Sequence, residues 1–148
     1  MKIAKRTSLA LIIMLLVFST QGSASAPELP NPVLYFLGQE FYETGGKKFV
    51  RYSYDVANKD AYPDDLFAAS PDLPPCGTNT KAARTWVDVY DQSGKRLQAF
   101  CALEKSSDLG KLWFGLEVDK VPPSYVYIEM NDRKTPIKYK SNLADTTL

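Results

Sequence analysis

Residues 49–57 read Phe-Val-Arg-Tyr-Ser-Tyr-Asp-Val-Ala, and every second side chain from Val50 to Val56 is aliphatic or aromatic. This alternation places the apolar side chains on one face of a β-strand and the polar ones on the other. Just upstream, Gly45 and Gly46 can adopt the positive φ angles that a tight hairpin turn requires. We therefore predict a hairpin that joins a strand over residues 33–42 to a strand over residues 49–57.

The same two-residue period recurs along the rest of the chain. It predicts further strands over residues 84–90, 97–103, 112–116, 125–130 and 137–139. Asp91 and Gly94 are the first and fourth residues of a type I turn signature between two of these strands. A sustained 3.6-residue apolar stripe is missing, so α/β architecture is not expected. We predict an all-β, antiparallel sandwich of two sheets and about seven strands over residues 33–141, with one disulfide.

The N-terminal residues have the pattern of a secretory signal peptide. Basic residues at positions 2, 5 and 6 precede an apolar run over residues 9–18, and small polar residues follow it up to Ala26. A membrane-spanning helix needs about 20 apolar residues, roughly twice this run. We predict cleavage after Ala24 and export to the periplasm or the medium, without membrane insertion. Residues 25–32 then form an extended proline-rich lead and residues 142–148 a tail.

Two cysteines, Cys76 and Cys101, reach an oxidising compartment if the chain is exported, and we expect them to form a disulfide. A disulfide that closes the loop from residue 76 to residue 101 would stabilise the fold by roughly 3 to 4 kcal/mol. The period of strand 97–103 places Leu97, Ala99, Cys101 and Leu103 on its inward face.

Four prolines within residues 58–83 indicate a long loop there. It is either a crossover held by the disulfide or a loop that faces a ligand or partner, and we expect its Leu66, Phe67 and Leu73 to cover the sandwich as a lid.

A family resemblance follows from the residues before the sixth predicted strand. Val121, Pro123 and Tyr127 have a spacing similar to the corner of fibronectin type III and immunoglobulin-like sandwiches. The segments 61–67, 74–77, 84–88 and 100–103 together resemble a type of small exported bacterial domain with no established activity. The resemblance covers nearly the whole mature chain and implies a fold, but it implies no activity.

Charge and residue content exclude several classes of function. Without Lys2, Lys5 and Arg6, 15 basic residues remain against 17 acidic ones, a net charge of −2. The short basic pairs 47–48 and 133–134 are interpreted as turn residues, so a nucleic-acid partner is not expected. The chain has no histidine, which excludes histidine-dependent catalysis and histidine-ligated metals. The aspartates of the long loop lack the spacing of a calcium loop. We predict no catalytic residue, no metal and no cofactor.

Aromatic residues are the one positive indication of a binding surface. In the run 111–117, Leu112, Phe114 and Leu116 share one face of the predicted strand, and Trp113 lies on the other. Aromatic residues are also frequent in strands for packing reasons alone, which is the alternative role. The candidate surface consists of Trp113, Trp86, Tyr90 and Tyr62.

The resulting hypothesis is an exported, non-catalytic β-sandwich that binds a protein or a glycan. Two alternatives stay open. One is a small carbohydrate-active enzyme that uses a pair of carboxylates scattered along the sequence, and the other is a purely structural envelope protein.

Overall fold

The computed structural model describes residues 28–77 and 82–147. The predicted signal peptide and its cleavage site lie outside these residues. Within them, no helix has the length and the apolar character needed to cross a membrane. All seven predicted strands are present, with ends that differ by a few residues, and a short eighth strand occurs within the segment expected as a tail. The strands are β1 Leu34–Thr44, β2 Lys47–Val56, β3 Thr85–Asp91, β4 Arg96–Phe100, β5 Leu112–Glu117, β6 Tyr125–Asp132, β7 Lys138–Lys140 and β8 Ala144–Asp145.

The strands form two sheets, and every pairing is antiparallel. A three-stranded sheet has the order β1-β2-β5, and a five-stranded sheet has the order β4-β3-β6-β7, with β8 also paired to β6. The predicted all-β, two-sheet antiparallel sandwich is therefore confirmed. Three short 3-10 helices, Lys59–Ala61, Asp64–Phe67 and Ser106–Lys111, connect the strands.

The first hairpin follows from its local sequence. Gly45 and Gly46 both have positive φ angles, +57° and +73°, and Thr44 pairs with Lys47 across the two-residue turn. In β2, the alternating side chains from Val50 to Val56 are buried, as predicted. They form the inner face of the three-stranded sheet, where the rings of Tyr52 and Phe114 stack with centroids 4.9 Å apart.

Both sheets contribute their alternating apolar residues to one core. Phe114 of β5, Val87 of β3 and Ile128 of β6 have no accessible surface. Their strand neighbours two residues away are also buried, except Leu116, which is partly buried against the core. In β6, Val126, Ile128 and Met130 point inward and Tyr127 points outward, as the period predicts. The core therefore lies between the sheets, and each sheet keeps one face towards solvent.

Strand β4 departs from the predicted alternation. The strand ends at Phe100, Ala99 is exposed, and Leu97 and Phe100 pack against the core. The reason is a bulge: Val89 pairs with Gln98 and Tyr90 pairs with Arg96, so Leu97 has no partner on β3. One extra residue reverses which side chains face inward. Because β4 ends at Phe100, Cys101 lies just after the strand. It forms the predicted disulfide with Cys76, with the two Cα atoms 5.7 Å apart.

The described parts of the long loop, residues 58–77 and 82–83, pack on the sandwich. Leu66 and Phe67, on the 3-10 helix Asp64–Phe67, are buried as the predicted lid, and Leu73 is half-buried. Ala69 and Ala83, one from each described part of the loop, form an isolated β-bridge. These parts of the loop therefore cover one side of the core.

Candidate functional site

The structure separates the four aromatic residues that were predicted to form one surface. Trp113 lies on the outer face of the three-stranded sheet, and Trp86 and Tyr90 lie on the outer face of the five-stranded sheet. Tyr62 is only 2% exposed, and its hydroxyl donates a hydrogen bond to the carbonyl oxygen of Pro30 at 2.6 Å. The prediction that Tyr62 belongs to the surface is therefore wrong, because the lead segment and Tyr139 cover its ring.

The outer face of the three-stranded sheet carries an exposed row of apolar side chains. Val33, just before β1, and Tyr35 and Leu37 within it are 49%, 41% and 49% exposed. The residues between them, Leu34 and Phe36, point to the core. A strand whose sheet has one face in water normally carries polar residues on that face. The first half of β1 is instead apolar on both sides.

A bulge in β1 directs two more side chains to this face. The register shifts between Phe36 and Gly38, and Gly38 has a φ angle of +152°, which side-chain-bearing residues rarely adopt. After the bulge, Glu40 pairs with Arg51 and Tyr42 pairs with Phe49. Glu40, Tyr42, Phe49 and Arg51 therefore share the outer face with Trp113.

The centre of the face is a stack of rings around one cation. The guanidinium carbon of Arg51 lies 4.6 Å from the ring centroid of Trp113 and 5.2 Å from that of Tyr42. Tyr42 stacks in turn on Phe49 at 5.3 Å, and Trp113 meets the edge of Phe100 at 6.4 Å. Such cation–π contacts contribute about 0.5 to 2 kcal/mol each, depending on solvent exposure. We call Tyr42, Arg51 and Trp113 the arginine clamp.

The clamp places Arg51 in an unusual environment. One terminal nitrogen donates to Glu40 Oε1 at 3.0 Å, whereas Nε is buried and has no hydrogen-bond partner among the described residues. Gly115 leaves the room that the clamp needs, because the Tyr42 hydroxyl lies over it. The sequence reasoning missed Tyr42 and Arg51, although pairing Thr44 with Lys47 and counting back along the hairpin would have placed them on one face.

The charges of this face neutralise one another. Arg51 pairs with Glu40, Lys47 with Glu117 at 2.8 Å, and Lys59 with Asp55 at 2.7 Å. Burial opposes ionisation of Asp55, but hydrogen bonds from Lys59, Tyr35 and the Val56 amide outweigh it and lower its pKa. The face therefore combines an exposed apolar row with charged side chains that are paired with one another.

On the outer face of the five-stranded sheet, cations cover the aromatic rings. Arg133 lies 4.4 Å from the ring centroid of Trp86, whose indole nitrogen donates to the Ala83 carbonyl at 2.9 Å. Tyr90 stacks on Tyr127 at 5.3 Å, and the ammonium of Lys140 lies 4.2 Å from the ring centroid of Tyr127. Both predicted residues of this face thus belong to local stacks.

Two of the scattered carboxylates meet on the same face. Asp88 and Glu129 are directly opposite each other on β3 and β6. Burial raises the pKa of Asp88, and its carboxylate lies 3.7 Å from Arg96 and 3.3 Å from the Asn131 amide. A glycosidase pair holds its substrate between two carboxyl groups in a cleft. Asp88 and Glu129 instead stand side by side on a sheet surface.

A cleft of about 790 Å³ lies elsewhere, between the lead segment, the loop lid and the β6–β7 hairpin. On its wall, Arg84 binds both carboxylate oxygens of Asp132, at 3.0 and 2.6 Å. Burial opposes ionisation of Asp132, but the hydrogen bonds from Arg84, the Lys134 amide and Thr135 lower its pKa to about 2. This carboxylate is fully occupied by intramolecular partners, which favours a structural role.

Comparisons with protein-family models, with curated proteins and with solved structures each find no match. The resemblance to fibronectin type III and immunoglobulin-like domains therefore stays a prediction.

Proposed function

We propose that the chain is an exported, non-catalytic binding module that contacts a protein partner through the outer face of its three-stranded sheet. The observation that carries the proposal is the exposed apolar row formed by Val33, just before β1, and by Tyr35 and Leu37 within it. Contiguous exposed apolar surface on a small domain is typical of an interaction site.

The composition of the face also supports a protein partner. Tyrosine, tryptophan and arginine are the residues that most often dominate binding energy at protein interfaces. The arginine clamp brings one of each together next to the apolar row. Because the charged residues are already paired within the face, a partner can bury it without leaving an isolated charge behind.

A glycan partner is less consistent with this geometry. A sugar that stacks on an aromatic residue needs a free ring face. In the clamp, Arg51 lies against the rings of Tyr42 and Trp113, and Phe49 stacks on Tyr42. The apolar row consists mainly of aliphatic side chains, which fit another protein surface better.

Export and fold class are part of the same proposal. The N-terminal sequence pattern and the disulfide between Cys76 and Cys101 support export. The three-stranded and five-stranded sheets, with β1-β2-β5 opposite β4-β3-β6-β7, support a fibronectin type III-like sandwich. Such a fold presents sheet faces and loops for recognition and does not by itself imply catalysis.

The experiment compares two baits in an extracytoplasmic extract of the source cells. Leu37→Asp places a charge in the apolar row. Val121→Asp is the matched control, because Val121 is also an exposed apolar residue, 90%, but lies in the connection between β5 and β6. We expect the wild-type and Val121→Asp baits to retain a partner protein and the Leu37→Asp bait to retain at least ten-fold less of it. Equal retention of that protein by all three baits would contradict the proposal, as would a glycan as the only ligand whose retention depends on Leu37.

A further inference from the structure

The hairpin between β6 and β7 concentrates positive charge. Residues 133–140 contain four basic and no acidic residues, and the four basic residues are exposed. We call this set the basic ridge: Arg133, Lys134, Lys138 and Lys140. Lys138 and Lys140 alternate with the buried Tyr139, so both extend from the same side of β7.

Little negative charge is available to neutralise the basic ridge. The adjacent Asp132 is bound by Arg84, and Lys134 lies 3.7 Å from Asp72. Among the described residues, no carboxylate lies within 4 Å of the charged nitrogens of Arg133, Lys138 or Lys140.

Other acidic residues on the outer face of the five-stranded sheet neutralise only part of the positive charge of the basic ridge. Asp88 is paired with Arg96 at 3.7 Å. Glu129 stands opposite Lys140 in the register, and the exposed Asp145 stands opposite Tyr125, so together they offset two positive charges. The ridge therefore keeps an excess of positive charge on one side of the sandwich, although the mature chain is predicted to be acidic overall.

Aromatic rings hold two of these cations in place. The guanidinium of Arg133 lies on Trp86 and the ammonium of Lys140 lies on Tyr127. A cation held on a ring has less conformational freedom to lose when an anion binds. Along β7, the positions of Lys138 and Lys140 are about 6.7 Å apart, the usual distance between residues i and i+2 of a strand. The ridge is thus a row of positioned charges.

We propose that the basic ridge binds a linear anionic polysaccharide, whose regularly spaced carboxylate or sulfate groups meet Arg133, Lys138 and Lys140. Proteins that bind single-stranded nucleic acids combine a basic groove along the backbone with free aromatic rings on which the bases stack. Here the ring of Trp86 carries Arg133, and that of Tyr127 lies between Lys140 and Tyr90. The ridge can therefore recognise the charges of a polymer better than its bases. This site is on the opposite sheet from the proposed protein-binding face and does not depend on it.

The experiment uses the purified protein and four probes: polygalacturonate, dextran sulfate, uncharged dextran and a single-stranded DNA oligonucleotide. We expect binding to at least one charged polysaccharide and none to dextran, with an affinity that decreases as salt increases. The double variant Lys138→Gln/Lys140→Gln should bind at least ten-fold more weakly and show a shallower salt dependence. The control is Lys48→Gln/Lys105→Gln, which makes the same change in net charge at exposed lysines outside the ridge. Like Lys138 and Lys140, these two have no carboxylate within 4 Å of their ammonium groups among the described residues.

Equal weakening of the two double variants would overturn the proposal, because net charge alone would then explain binding. Absence of binding to both charged polysaccharides would also overturn it. Tighter binding of the oligonucleotide than of either polysaccharide would assign the ridge to nucleic acid instead. None of these results depends on Leu37, so failure of the ridge and failure of the protein-binding face are distinguishable.

Discussion

The hydroxyl oxygen of Tyr42 lies 2.6 Å from the position that a β-carbon on Gly115 would occupy. That distance is shorter than any ordinary contact, so the two residues fit together only because residue 115 has no side chain. Tyr42 and Gly115 are on β1 and β5, the two edge strands of the three-stranded sheet. The arginine clamp therefore depends on a glycine that sequence position alone would not mark as important.

The first prediction is that Gly115→Ala destabilises the protein by about 1 kcal/mol, the low end of the effect of adding a methyl group to a packed core, because the clashing atom is the tip of a half-buried side chain. The matched test is Tyr42→Phe/Gly115→Ala, in which the clashing hydroxyl is absent. We expect the alanine to have little effect in the Tyr42→Phe background. Urea unfolding of the wild type, both single variants and the double variant measures the coupling. An equal loss from Gly115→Ala in both backgrounds would disprove the clash.

The second prediction compares neighbouring residues of β5. Phe114 has no accessible surface, so Phe114→Ala should lower the free energy of unfolding by about 3 to 5 kcal/mol. Trp113 is half-buried and contacts Arg51 and Phe100, so Trp113→Ala should lower it by about 1 to 2 kcal/mol. Thermal and chemical unfolding measure both. Equal large losses would place Trp113 in the core and remove it from the binding face.

The third prediction concerns acid stability. The pKa of Asp132 is about 2 in the folded protein, against an ordinary value of 3.8. Because folding lowers this pKa, the carboxylate stabilises the fold above about pH 4, and the contribution is lost as the pH falls from about 4 to about 2. The shift corresponds to about 2 kcal/mol.

Asp132→Asn is the matched variant, since it keeps the shape and removes the titration. The difference in unfolding free energy between the wild type and this variant should be largest near pH 7 and should decrease below pH 4. Other carboxylates with lowered pKa values titrate in both proteins, so the difference isolates Asp132. A difference that stays constant from pH 7 to pH 2 would show that the ion pair with Arg84 does not contribute in this way.

The fourth prediction is that reduction of the Cys76–Cys101 bond destabilises the protein by roughly 2 to 4 kcal/mol. We expect the long loop to loosen before the sheets, because the bond joins the loop to the end of β4. Hydrogen exchange with and without reductant should show faster exchange first in residues 66–77. The intact mass after alkylation checks the bond itself, and two alkylated thiols in unreduced protein would rule it out.

Much of the fold was predictable because its signals are local. The alternation of Val50 to Val56 depends on neighbouring residues only, and Gly45-Gly46 sets the register of the first hairpin. The burial of Phe114 and the outward position of Trp113 follow from the same period. The β4 alternation was predicted wrongly, since the bulge at Leu97 arises from pairing with β3 and leaves no mark in the local pattern.

The candidate faces were decided by contacts between distant parts of the chain. The sequence alone shows that a side chain such as Trp113 or Trp86 points away from the core. It does not show that Arg51 lies against Trp113 or Arg133 against Trp86, because these contacts require β5 to pair with β2 and the β6–β7 hairpin to lie beside β3. Tyr62 is buried for the same reason, since the lead segment and Tyr139 reach it from elsewhere. Periodicity determines the direction of a side chain, whereas only tertiary packing determines what covers it.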